Sequence, residues 1–280
     1  AKPSPEQRAL VPHHGFDMVN PTEVYSAGRF VRDAREAASR IHARRNLVIL
    51  TGGTGLYIRA FLEGLVATGG ADLEFRESLE REHACALRER DPSRLHRRLQ
   101  ELDPAAASRI HPNDLRRSIR ALEILHSAER PASLLRDRHA FSDRPYRSLH
   151  LAIDPGRAAL GERIDQRCRT MIDAGLLREV RELRDRGFGP DLRPMQAIGY
   201  RHINPVVDGA DTLVNALAAM QRDTRRFARR QRTWLRGVEQ AQWMDPADPA
   251  AVLGAVEVFL KSAGTPPSAE RPTPPRSAGD

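Results

Sequence analysis

Apolar residues at Phe30, Val31, Ala34, Ala38 and Ile41 recur at steps of one, three and four. They line one side of a helix over 27–44, with Ser26 as its N-cap. The period then changes. Residues 46–51, Asn-Leu-Val-Ile-Leu-Thr, form a short apolar run that meets Gly52-Gly53-Thr54-Gly55. Such a run suits a strand buried in a parallel sheet. Helical spacing resumes over 56–65. Helix, strand, glycine-rich turn and helix is the rhythm of an α/β sheet with its sites at strand C-termini.

From about 71 to 143 the pattern is helical and strongly charged, with no strand signal. Helices are expected over 74–90, 93–102, 104–110 and 114–128, separated by Asp-Pro and His-Pro steps. This segment reads as a helical insertion. Residues 149–154 return to the sheet, an amphipathic helix covers 157–186 up to Gly187, and 242–244 is a last short strand before a helix over 252–260. Beyond Lys261 the Pro- and Ser-rich segment cannot bury a core and is expected to be disordered. The opening segment, 1–14, reads as a loop. These boundaries give an α/β core over 1–70 and 144–262, an insertion over 71–143, and a tail over 263–280.

Charge adds a partner to this picture. The net charge is +8, which suits a polyanion. Nearly all of the positive charge is arginine, since the only lysines are Lys2 and Lys261. No apolar run is long enough to cross a bilayer and no signal peptide opens the chain. Cys85 and Cys168 have no metal-site or CxxC spacing, so a reducing, cytoplasmic setting is expected.

The arginines are not spread evenly. Residues 223–237, DTRRFARRQRTWLRG, hold six of them inside a helix-friendly run over 213–236. Arg222, Arg225, Arg229, Arg232 and Arg236 form one stripe, while Met220, Phe227 and Trp234 are spaced to pack on another face. No acidic residue lies between Asp223 and Glu239, so the stripe reads as a phosphate grip rather than a solvated face. The Gly52–Gly55 turn is either an anion cradle at a helix N-terminus or a turn that needs glycine. It is not a Walker A loop, because neither lysine follows a glycine. His111-Pro112-Asn113-Asp114 caps a helix carrying Arg116, Arg117, Arg120 and Glu123. Gln196-Ala197-Ile198-Gly199-Tyr200-Arg201 is either a stacking platform beside a phosphate contact or a packed corner.

GGTGLYIRAFLEGL, HPNDLRRSIRALEI, QAIGYR and TRRFARRQRTWLRG, in this order and at these separations, resemble the tRNA dimethylallyltransferases, and the likeness covers about residues 1–260. The resemblance implies a P-loop NTPase-like parallel sheet core with a helical tRNA-binding insertion. It implies transfer of a dimethylallyl group from dimethylallyl diphosphate to N6 of the adenine 3′ to the anticodon, with magnesium helping the diphosphate to leave. Thr54 corresponds to the threonine near that adenine. Arg225 corresponds to the arginine facing the diphosphate, with Gly52 and Gly53 beside the same ligand. Arg76, Arg116, Arg117, Arg120, Gln196, Gly199, Tyr200, Arg201, Arg229, Arg230, Gln231, Thr233, Trp234 and Arg236 fall in tRNA-contacting segments. A monomer is expected on the same ground.

The family's GxTxxGKS/T phosphate loop and the aspartate proposed as general base both precede the segment resembling 1–34, and neither is found in these 280 residues. With the chain opening at Ala1, this reads as a fragment missing the first strand and phosphate loop, inactive and poorly stable alone. Two alternatives stand beside tRNA prenylation: transfer to free adenine nucleotides, whose enzymes generally lack such an insertion, and a non-catalytic RNA-binding remnant.

Overall fold

The structure, a computed structural model, describes residues 2–65, 72–128, 131–139 and 143–262. They divide into two compact units, 25–147 and 1–24 with 148 onward. The expected tail over 263–280 lies outside the described residues.

In the unit over 25–147, α2 (Ala27–Ala43) begins where the Ser26 hydroxyl accepts the Arg29 N–H at 3.1 Å. It packs on α3 (Gly55–Glu63), with Phe30 and Tyr57 stacked at 4.8 Å. The expected strand over 46–51 is not formed. Leu47, Ile49 and Leu50 are exposed. A strand needs a neighbour to take its alternating N–H and C=O groups, and among the described residues none pairs here. Five helices follow: α4 (Leu73–Arg88), α5 (Arg94–Leu102), α6 (Pro104–Ala107), α7 (Leu115–Ala128) and α8 (Ala132–His139). All but the last lie within a few residues of expectation. Leu79, Leu95, Leu99, Ile119 and Leu122 make their common core. Truncating any of these leucines to alanine should cost about 2–5 kcal/mol. Asp103 ties this bundle together from inside: one carboxylate oxygen caps α6 at the Ala106 N–H and the other accepts the Ser133 N–H of α8, each at 3.0 Å.

The other unit opens with a short helix rather than the expected loop. In α1 (Pro5–Leu10) the Ser4 hydroxyl accepts the Gln7 N–H while the Gln7 side chain accepts the Ser4 N–H, a complete capping box. The chain returns as β1 (His150–Ile153), which pairs in parallel with β2 (Ala241–Met244), Ala152 opposite Trp243. The long helix expected over 157–186 is two, α9 (Arg157–Asp173) and α10 (Leu176–Asp185). Gly175 breaks them with a left-handed φ of 99°, accessible at little cost only without a Cβ. A 3₁₀ turn (Arg193–Gln196), α11 (Tyr200–Val207), α12 (Leu213–Arg236) and α13 (Pro249–Lys261) complete the unit. Ile164, Cys168, Val180, Met195, Ile203, Ala216 and Met220 form its core. Both cysteines are free thiols. No helix among the described residues is long and apolar enough to cross a membrane.

Candidate functional site

Helix α12 matches its expected span to the residue, and its packing divides it in two. The N-terminal half is anchored by Ala216 and Met220, both buried. The C-terminal half is not. Phe227, expected in the core, is 38% exposed, with the Arg230 guanidinium 5.7 Å from its ring centre. Trp234 is half-buried. The arginine stripe therefore stands on a helix whose fully buried residues lie in its N-terminal half.

Opposite the stripe runs α9. Arg157, Arg222, Arg225, Arg229, Arg232 and Arg236 line a groove of about 630 Å³, with Leu160, Ile164 and Ala228 among its apolar surfaces. Its volume falls in the range of small-molecule sites. Residue spacing identified the stripe but not what faces it. Arg157 was missed, although an arginine in the first helical turn after a sheet strand is a position from which α/β sites are often built. The expectation that the stripe has no carboxylate partner is overturned. Asp165 of α9 pairs with Arg225, Asp154 after β1 pairs with Arg232 at 2.9 Å, and Asp223 reaches Arg226 at 3.5 Å. These acids lie near in space though not in sequence. For Arg157, Arg222, Arg229 and Arg236 no ion pair is formed among the described residues. Their guanidinium forks are open to a phosphate.

The Gln196–Arg201 segment is largely structural. Gly199 has φ 103°, and a Cβ there would lie 3.8 Å from Leu176 and 3.9 Å from Met220. The Tyr200 hydroxyl donates to Glu179 at 2.5 Å, and burial followed by this bond pushes its pKa up. The Gln196 amide donates to the Pro190 carbonyl at 2.7 Å. Arg201 and His202 both reach Asp223, at 2.5 and 3.2 Å, which locks α11 to α12. Burial lowers the His202 pKa, so it stays neutral, accepting the Gly199 N–H through Nδ1 and donating through Nε2. Of the two readings of this turn, the packed corner fits these contacts. Thr233 is also engaged locally, its hydroxyl donating to the Arg229 carbonyl at 3.1 Å. Gln231 lies half-buried.

In the other unit, Thr54 is exposed at the N-terminus of α3 and its side chain makes no capping bond. Gly53 is half-buried and Gly52 exposed, with open space where a Gly52 Cβ would stand. On α7, Asp114 caps the Arg117 N–H at 3.1 Å, as expected. Arg116 and Arg117 are exposed. Arg76 is committed inward: its guanidinium grips Glu123 at 2.8 and 2.7 Å, and Arg120 adds a contact at 3.3 Å.

Magnesium finds no evident cage. Among the described residues no three His, Cys, Asp or Glu side chains stand together to hold a metal ion, and Asp154 and Asp165, the carboxylates nearest the stripe, are tied to arginines. No step below is routed through the ion.

Comparison with known proteins places this arrangement. The family model described as IPP transferase matches residues 1–238. The tRNA dimethylallyltransferase of Desulfatibacillum aliphaticivorans is 42% identical over 261 residues, 93% of this chain and 84% of that protein. The corresponding protein of Geobacter sulfurreducens is 41% identical over 88% of this chain and 78% of its own length. Among solved structures, the tRNA isopentenylpyrophosphate transferase of Bacillus halodurans matches with a TM-score of 0.62 at 32% identity, covering 94% of this chain and 84% of that one. A eukaryotic dimethylallyltransferase shares the fold with a TM-score of 0.77 at 24% identity. The chain belongs to the IPP transferase family, with its helix-rich, P-loop-like α/β fold.

Proposed function

We propose that this protein transfers a dimethylallyl group from dimethylallyl diphosphate to N6 of the adenine 3′ to the anticodon of tRNA. The observation that carries the reading is the α9–α12 groove, where four arginines form no ion pair among the described residues. Family membership supplies the reaction class. In the transfer the C1–O bond to diphosphate breaks, a C1–N6 bond forms, one N6 proton goes to a base, and diphosphate leaves. Arg225, beside Arg157 and Arg222, addresses the developing charge on the diphosphate. Arg229, Arg230 and Arg236 hold RNA phosphates, while Gln231 and Trp234 lie between them on the same helix. Thr54 orients the amine and Gly52 and Gly53 give the ligand close backbone approach. Extruding the adenine costs least from a loop, where it is already unpaired. We assign residues 1–70 and 144–262 to the catalytic core and 71–143 to the RNA-holding insertion, acting as a monomer in the cytoplasm. Magnesium, where bound, would offset diphosphate charge.

The test gives the protein labelled dimethylallyl diphosphate with either an anticodon stem-loop or AMP. Label in the stem-loop is the expected result. Label in AMP alone would move the acceptor to free nucleotides. RNA binding without transfer to either acceptor would leave a non-catalytic RNA-binding protein.

A further inference from the structure

Between α4, α5 and α7 lies a cavity of about 150 Å³ that the transfer reaction does not use. Its walls are Leu87, Leu95 and Leu115, with Pro92 and Pro112. Two residues of its lining, His83 and Ser118, each carry a buried polar atom, Nδ1 and Oγ, with no hydrogen-bond partner among the described residues. Ser118 is only 1% exposed. Helical serines usually satisfy themselves on the carbonyl one turn back; here the hydroxyl is left unpaired. A buried polar group without a partner is costly, so two on the walls of one cavity mark a site built for something that bonds them. His96 is already occupied. Its Nε2 donates to the Ala107 and Ile110 carbonyls at 3.2 and 2.9 Å, making it a fixed wall.

The shape and chemistry select the occupant. A water takes a share of about 30 Å³, so the cavity admits several waters or one planar ring, but not a whole nucleotide. Flat apolar walls with hydrogen-bond groups at one side suit a heteroaromatic ring. The Asn113 and Pro112 that close one side precede the N-terminus of α7. Exposed Arg116 follows immediately and is placed for a sugar-phosphate chain leading to the ring, next to Arg117, which pairs with Asp114 at 3.4 Å. We propose that this cavity receives one unpaired nucleobase of the bound RNA, other than the adenine that is modified. Ser118 and His83 bond its edge, and the leucines and prolines hold its faces.

The proposal rests on the reading of the protein as tRNA-modifying, and the test separates the two. Anticodon stem-loops carrying 2-aminopurine at one loop position at a time are titrated with wild-type, Ser118→Ala and Ser118→Val protein. In the wild type, one position besides the acceptor adenine should change its fluorescence on binding. Ser118→Ala should weaken binding about two- to tenfold, the size of one hydrogen bond, and Ser118→Val should abolish the signal by filling the space. Thermal stability supplies the second readout: removing an unpaired hydroxyl should leave Tm unchanged or raised, whereas a purely structural serine would lose stability. RNA binding with no second responsive position, or with variants that bind like wild type, overturns the base site and leaves the tRNA reading intact. Failure of the wild type to bind any stem-loop overturns both.

Discussion

The helical unit and helix α12 spend the same residue in opposite ways. In the helical unit Arg76 and Arg120 converge on Glu123, a carboxylate only 1% exposed. On α12 the nearby acids, Asp154, Asp165 and Asp223, satisfy Arg232, Arg225 and Arg226, and Arg222, Arg229 and Arg236 are left over. An arginine count points to both regions equally. Where the carboxylates lie tells the two clusters apart: Arg76 and Arg120 are spent on Glu123, whereas the α12 stripe keeps arginines without an ion pair among the described residues.

The largest expected effect breaks the inward-facing side of this contrast. Removing one partner of a buried ion pair leaves a charge without compensation. Glu123 is the buried partner, while Arg76 keeps about a third of its side chain in water. Arg76→Ala leaves buried Glu123 with only the 3.3 Å contact to Arg120 and should therefore cost more than Glu123→Gln, up to about 3 kcal/mol in chemical denaturation. Glu123→Gln strands an arginine that can rehydrate. Equal losses, or RNA affinity falling with no loss of stability in Arg76→Ala, would place Arg76 on the outward-facing side instead.

Asp103 sharpens the same side through pH. Burial works to raise its pKa, but the N–H donors of Ser133 and Ala106 outweigh it and hold the carboxyl below its usual value. The folded pKa is the lower one, so this stabilisation is fully present above the unfolded value, about 3.9. It fades as pH falls through the folded value. Asp103→Ala should cost about 1–2 kcal/mol at neutral pH through the lost cap, and Asp103→Asn should flatten the acid limb of stability below about pH 4. An unchanged acid limb in Asp103→Asn would show that another carboxylate governs it.

The open side is tested by salt. Arg229→Ala with Arg236→Ala should leave stability within about 0.5 kcal/mol, since both side chains are exposed. The dependence of log affinity for RNA on log salt should lose about 0.7 for each phosphate contact removed. A weaker affinity with an unchanged slope would mean that these residues do not touch phosphate.

Much of this contrast was legible in the residues alone, and the misses share one cause. Helix α12, the Ser26 and Asp114 caps and both strands of the observed sheet follow local rules, period and capping chemistry, that need no distant neighbour. Residues 46–51 satisfy a strand's local pattern equally well, yet pairing is a property of two segments and only one is read at a time. Gly175 was a local signal overlooked, since a left-handed residue in mid-helix is what glycine permits. Asp154 and Asp165 could not be found by proximity in sequence, because the fold brings them to the arginines. The Phe227 error has the same root: its spacing fits a core face, but among the described residues of its unit nothing buries it.

The smallest expected effect addresses the residue most directly tied to the reaction. Arg225 is proposed to face the diphosphate, yet here Asp165 holds it, with both side chains substantially exposed. An exposed ion pair is worth about 0–1 kcal/mol, so a diphosphate can displace it at little cost. Asp165→Asn should leave stability within 1 kcal/mol, roughly the limit for such a pair, and should tighten inorganic diphosphate binding by up to about fivefold, because Arg225 no longer gives up a carboxylate. Arg225→Lys should keep the charge but lose the bidentate fork, and bind diphosphate less tightly than wild type. Calorimetric titration of diphosphate into the three proteins reads both effects. Identical affinities in wild type and Asp165→Asn would mean that Arg225 keeps its partner when the ligand binds, and the anion would then belong to Arg157, Arg222 and Arg229.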